Sequence, residues 1–105
     1  MLDQNTVMNA TRRYAREVAE ILSPEAVVLF GSYAKGTAHE DSDIDIAVIF
    51  NNFQGDWLST SASLWGLTRN ISTYIEPVLL DHADDPSGFV QEVYNTGQIL
   101  YSRAA

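Results

Sequence analysis

The chain has 105 residues, 46% of them hydrophobic, which suits one compact core over 1–105 and leaves no room for a second domain. Its formal net charge is -8 with only six basic residues (Arg12, Arg13, Arg16, Lys35, Arg69 and Arg103), so no broad cationic face exists to hold a nucleic-acid backbone directly. There is no cysteine for disulfides or thiolate metal sites, which identifies no compartment. No apolar run is long enough to span a bilayer and the amino terminus lacks a signal-peptide core, so a cytoplasmic protein is the default expectation.

From about Asp3 to Leu22, the spacing of Val7, Thr11, Tyr14, Val18, Ile21 and Leu22 predicts a helix with one buried stripe. Asp3, Asn5 or Thr6 would cap it, and Ser23-Pro24 would end it. Arg12, Arg13 and Arg16 cluster on its outer side. They read as a solvated face, with contact to a triphosphate or an acidic partner as the alternative. Val27 to Phe30 is a β-branched apolar run ending at Gly31, the pattern of a short buried strand closed by a tight turn. Gly31 takes backbone angles barred to other residues and lets a bulky anion approach the chain, while Ser32 adds a hydroxyl and free amides. Together they have the chemistry of a phosphate cradle.

Tyr33 to Glu40 reads as a short helix followed by a polar loop. Within it Lys35 is either a point cation for phosphate or an ordinary surface lysine, and His39, Glu40 and Asp41 read as solvated because their spacing suits no metal. Ser42 to Phe50 alternates as a strand, with Asp43, Asp45, Ala47 and Ile49 on one side and Ile44, Ile46, Val48 and Phe50 on the other. The backbones of Asp43 and Asp45 would lie about 6.6 Å apart, so both carboxylates can converge on one site. Two such neighbours repel and resist desolvation, and a hard divalent ion such as magnesium, carrying water and triphosphate oxygens, resolves the conflict.

Beyond a turn at Asn51 to Gly55, Asp56 is expected to cap a helix to about Asn70, with Leu58, Ala62 and Trp65 as its core stripe beside Leu64 and Ile71. Trp57 and Trp65 read as core residues, with stacking on a nucleobase as the alternative. Ser72 to Leu80 predicts a third strand, placing Glu76, Val78 and Leu80 on one face and Ile75, Pro77 and Leu79 on the other. Pro77 cannot donate to a ladder, which puts this strand at a sheet edge. An acid within an apolar strand needs a partner, so Glu76 either joins a charged site or pairs with an arginine. Asp85 and Pro86 should start a helix that buries Phe89, Val90, Val93 and Tyr94 and stops at Gly97, before a terminal strand over Gln98 to Tyr101.

Gly31-Ser32, then Ala34-Lys35-Gly36, then Ser42-Asp43-Ile44-Asp45 resembles the signature of the DNA polymerase β-like nucleotidyltransferase superfamily, most closely its minimal nucleotidyltransferase (MNT) branch. The resemblance implies an α/β (α+β) fold with a small mixed β-sheet of three to four strands packed with helices. It further implies Mg2+-dependent transfer of a nucleoside monophosphate, AMP being the leading choice, from a triphosphate such as ATP. Asp43 and Asp45 would be catalytic metal ligands, with Gly31, Ser32 and Lys35 binding the nucleotide. In the family the third strand supplies a further metal-binding carboxylate, usually aspartate. Glu76 matches it by position and is one methylene longer. Minimal members commonly pair with a small helical HEPN-type protein in toxin-antitoxin systems, which implies a partner protein as acceptor. A non-catalytic antitoxin or regulatory subunit that covers its partner, and a homo-oligomeric enzyme acting on a small molecule, are the competing readings.

Overall fold

The computed structural model describes residues 4–38 and 42–103. Along the chain it forms α1 (Gln4–Leu22), β1 (Ala26–Phe30), α2 (Ser32–Lys35), β2 (Ile44–Phe50), α3 (Trp57–Thr68), β3 (Ile75–Asp81), α4 (Phe89–Thr96) and β4 (Gln98–Ser102). The four strands make one mixed sheet in the order β3-β2-β1-β4. β1 runs antiparallel to β2 and β4, and β2 runs parallel to β3 across the α3 crossover. Pro77 lies on an edge strand, where its missing N–H costs no ladder bond.

The alternation in β2 divides the core in two. Ile44, Ile46 and Val48 join Val27, Leu29, Ile75 and Leu79 beneath α1 and α3, whereas Ala47 and Ile49 join Ala26 and Val28 beneath Val90 and Val93 of α4. Burying each such branched side chain contributes roughly 1.5–3 kcal/mol, so β2, buried on both faces, is the strand the fold is built on. α4 meets the sheet closely at Gly97, where an added Cβ would stand 2.5 Å from Val28 Cγ1 and 2.6 Å from the Val93 carbonyl. That crowding, rather than backbone freedom, requires glycine there.

Several local expectations are corrected. Val7, Thr11, Tyr14, Ala15 and Val18 form the buried stripe of α1, but Ile21, in the last turn of the helix, is 61% exposed. Asn5 and Thr6 fall inside the first turn of α1, and Asp3 lies outside the described residues, as do His39, Glu40 and Asp41. In α3 the buried positions are Leu64 and Thr68, not Leu58, Ala62 and Trp65. Trp57 and Trp65 are both substantially exposed. Ser59, Thr60, Ser61, Ser63 and Thr68 interrupt the apolar positions of this helix, so no single stripe stands out in its periodicity. Asp56 caps its start by accepting from the Leu58 and Ser59 amides, and the buried face carries Leu64, whose carbonyl meets Tyr14 of α1. In the last helix, Asp85 accepts from the Val90 and Gln91 amides across a turn, so Pro86 precedes the helix and Phe89 begins it.

The α1–α3 contact is closed by the Tyr14 hydroxyl donating to the Leu64 carbonyl at 2.7 Å, and burial raises this phenol well above its usual pKa. Tyr14→Phe removes this buried interhelix bond, leaving the carbonyl its place within α3, and is expected to cost about 0.5–1.5 kcal/mol, while Tyr14→Ala, which also opens a cavity, should cost about 3–5 kcal/mol. Denaturant midpoints at unchanged slope test both. A Tyr14→Phe midpoint equal to wild type would show that the bond does not hold α1 on α3.

Candidate active site

Antiparallel β1–β2 pairing sets Phe30 opposite Asp45, and parallel β2–β3 pairing sets Asp45 opposite Glu76. Paired residues project to the same side of a sheet, so Phe30, Asp45 and Glu76 form one row across three strands. The row lies on the α4 face, just beyond the edge of the apolar patch that α4 covers. Asp43 precedes β2 rather than belonging to it, and its carboxyl reaches the Glu76 carboxyl within hydrogen-bond distance. The acids expected from the sequence are therefore brought onto one face. None of the arginines forms an ion pair with Glu76 among the described residues.

Above the row, Gly31 has φ 72° and ψ -151°, a region open essentially to glycine alone. A Cβ built there would fall on Asp45 Oδ2. The turn and the carboxylate can approach each other only because this side chain is missing. Ser32 opens α2 directly after the turn, with the Lys35 amide bonded to the Gly31 carbonyl at 3.1 Å and Gly36 closing the turn at φ 75°. Lys35 stands exposed at the end of α2, and no hydrogen bond or ion pair joins its side chain to the acids among the described residues. On the other flank, Phe30 meets Phe89 edge to face with centroids 5.8 Å apart. This aromatic wall was not legible in the sequence, because it depends on the β1–β2 register and on where α4 begins.

The electrostatics follow from this crowding. Asp45 has a raised pKa, chiefly through burial and then through the charge of Asp43. Glu76 is raised by its hydrogen bond with Asp43, by burial and by the charges of Asp43 and Asp45. A cation bound among these carboxyls would relieve their mutual repulsion. Among the described residues no three acidic or imidazole side chains close into a cage around one point. The donor set is nonetheless all hard oxygen. It fits an ion such as magnesium that takes one or two carboxylates and completes its shell with water and phosphate oxygens.

Two substitutions should act with opposite signs. Raised carboxylate pKa values mean that the folded state holds these protons more tightly, so the contribution of Asp45 and Glu76 to stability without divalent ions is most favourable below about pH 4 and is lost as pH rises through the raised values. Asp45→Asn should remove part of this loss and raise the metal-free melting temperature by a few degrees at pH 7, with no gain in acid. Gly31→Ala should cost about 1–3 kcal/mol at every pH, because it imposes a strained backbone and displaces Asp45. Melting curves against pH in a chelator measure both, and a lower neutral-pH melting temperature for Asp45→Asn would contradict the account.

Comparison with known proteins agrees with this geometry. The chain is 33% identical over 79 residues to the protein adenylyltransferase MntA of Shewanella oneidensis, a match covering 73% of this chain. It spans about half that relative's length, 53%. A toxin-antitoxin crystal structure with AMP-PNP superposes with a TM-score of 0.59 at 27% identity, covering 96% of this chain and 74% of that one. A variant of the MntA-HpeT toxin-antitoxin complex carrying two aspartate-to-glutamate changes superposes with a TM-score of 0.57 at 25% identity, covering the same shares. A protein from Sulfolobus solfataricus shares the fold along 99% of this chain and 94% of its own, with a TM-score of 0.59 at 21% identity. The family model for polymerase beta nucleotidyltransferases matches residues 14–105, from the middle of α1 through β4, and this chain belongs to that nucleotidyltransferase family.

Proposed function

We propose that this protein transfers AMP from ATP to a hydroxyl of a partner protein, in a toxin-antitoxin pair whose other member is a small helical protein of the HEPN type. The observation that carries the reading is the acid row beneath a glycine turn, with Asp45 opposite Glu76, Asp43 touching Glu76 and no Cβ at Gly31. Support for the partner comes from the MntA adenylyltransferase and from the toxin-antitoxin complexes that share the fold.

In the reaction, the Gly31-Ser32 turn holds the β- and γ-phosphates by backbone amides and the Ser32 hydroxyl, and exposed Lys35 adds a mobile positive charge. Asp43, Asp45 and Glu76 would hold Mg2+, which when bound supplies charge neutralisation on the triphosphate. The acceptor oxygen forms a bond to the α-phosphorus as the α–β bridging bond breaks, and pyrophosphate leaves. Glu76 takes the acceptor's proton, a role suited by a pKa raised above the ordinary carboxylate value by Asp43, burial and Asp45. Catalysis here is mostly positioning and electrostatics.

The rival reading, an antitoxin that only covers its partner, is separated by one experiment. The chain is incubated with α-labelled ATP, magnesium and the protein encoded beside it, and wild type is compared with the Asp43→Asn, Asp45→Asn double variant. Label on the partner should fall at least about a hundredfold in the double variant, and relief of the partner's toxicity should fall with it. Undiminished relief by the double variant would establish covering and defeat the transferase reading.

A further inference from the structure

A groove of about 450 Å³ lies at the outer end of β3, between the start of α3 and the turn that leads into α4. It is not the acid row. Asp81 on its rim stands five residues along β3 from Glu76, roughly 16 Å at strand rise. Its walls are aromatic. Phe53 and Trp57 meet edge to face at 5.3 Å on one side, Phe89 stands on the other, and Trp57 and Phe89 are 42% and 37% exposed.

The charged residues on its rim, Asp81, Asp84 and Asp85, are all acidic. The Asp81 carboxylate accepts from the backbone amides of Asn52, Phe53 and Ala83 at 2.8 to 3.0 Å, and Asp85 accepts from Val90 and Gln91 at 3.0 and 3.2 Å. Burial alone would raise the Asp81 pKa, but these amides and nearby His82 outweigh it and hold the group below its ordinary value. Both carboxylates are thus fixed in place by backbone amides before anything binds. Asp84, between them, is exposed, and its carboxylate has no hydrogen bond or ion pair among the described residues. No lysine, arginine or histidine lines the groove.

We propose that this groove anchors an arginine side chain of the partner protein, its guanidinium over the Trp57 ring and against Asp84. The chemistry is complementary in three respects. A planar, weakly hydrated cation stacks on aromatic faces, and its fork pairs with a carboxylate. The apolar walls cover its methylene stem. The chain's own charge of -8 further favours a basic partner over a second copy. An anchor about 16 Å from Glu76 would leave the partner's acceptor group within reach of the acid row, so the inference deepens the proposed function and rests on its partner.

The test uses the full chain carrying Trp65→Phe, which leaves Trp57 as the only indole of the two in the sequence. An acetylated, amidated glycine-arginine-glycine peptide is titrated against its citrulline counterpart, which has nearly the same shape without the charge. Trp57 emission should respond saturably to the arginine peptide, with affinity at least about tenfold weaker for citrulline and for arginine against Asp84→Asn. Equal responses to the two peptides, no saturable response, or indifference to Asp84→Asn would overturn the proposal. So would sedimentation showing that the wild-type chain self-associates and that Asp84→Asn dissolves the dimer, since the occupant would then be a second copy. Mg-ATP binding, measured in parallel, should be unchanged in Asp84→Asn, which keeps failure here distinct from failure of the transferase reading.

Discussion

The parallel pairing of β2 with β3 is the constraint on which the rest of the structure depends. It sets Asp45 opposite Glu76, although they lie 31 positions apart in sequence, and it needs a crossover, which α3 provides. Antiparallel β1 then delivers Gly31 to the same end of the sheet, beside Phe30 and above Asp45. Three strands whose cores are ordinary Val, Ile and Leu packing converge on a point where packing is given up for charge. α1 and α3 on one face and α4 on the other hold the strands in register and leave the acid row uncovered.

That row costs the fold stability. The charge of Asp43 raises the pKa of both Asp45 and Glu76, and burial adds to it. Such conflict is typical where a structure is arranged to hold something it does not itself contain. The acids do not close into a cage, which is consistent with an ion that arrives together with its phosphate ligands and takes only part of its shell from the protein. The same distribution of charge extends along β3, where Asp81, Asp84 and Asp85 form a second acidic rim backed by aromatic rings. The two clusters differ in kind: in the first the carboxylates oppose one another, whereas in the second backbone amides hold Asp81 and Asp85 separately and leave Asp84 exposed between them.

Much of this was legible in the residues. The alternation from Asp43 to Phe50 gave the two faces of β2, Gly31 marked the turn, and Pro77 placed β3 at an edge, each through a short-range rule of sterics or periodicity. The register between Asp45 and Glu76 was not legible in the residues alone. It is set by how a crossover helix packs, and no local pattern encodes that. The phase of α3 was lost because Leu58, Leu64, Trp65 and Leu67 are spread over about half of the helix circumference among serines and threonines, and no single stripe stands out. The start of α4 was lost because Asp85 caps at a distance, across a turn closed by Gly88 at φ 77°. Both misreadings concealed the same thing, the exposed rings of Trp57 and Phe89.

The central claim is that Gly31, Asp43, Asp45 and Glu76 together hold a divalent cation only in company with a triphosphate. Calorimetric titration of Mn2+ into the chain, with and without a non-hydrolysable ATP analogue and repeated with Asp45→Asn, tests it most directly. The account predicts tight, saturable binding when nucleotide is present, binding at least about tenfold weaker when it is absent, and loss of the tight phase in Asp45→Asn. Nucleotide that binds equally well in a chelator, or Mn2+ that binds Asp45→Asn as it binds wild type, would contradict it.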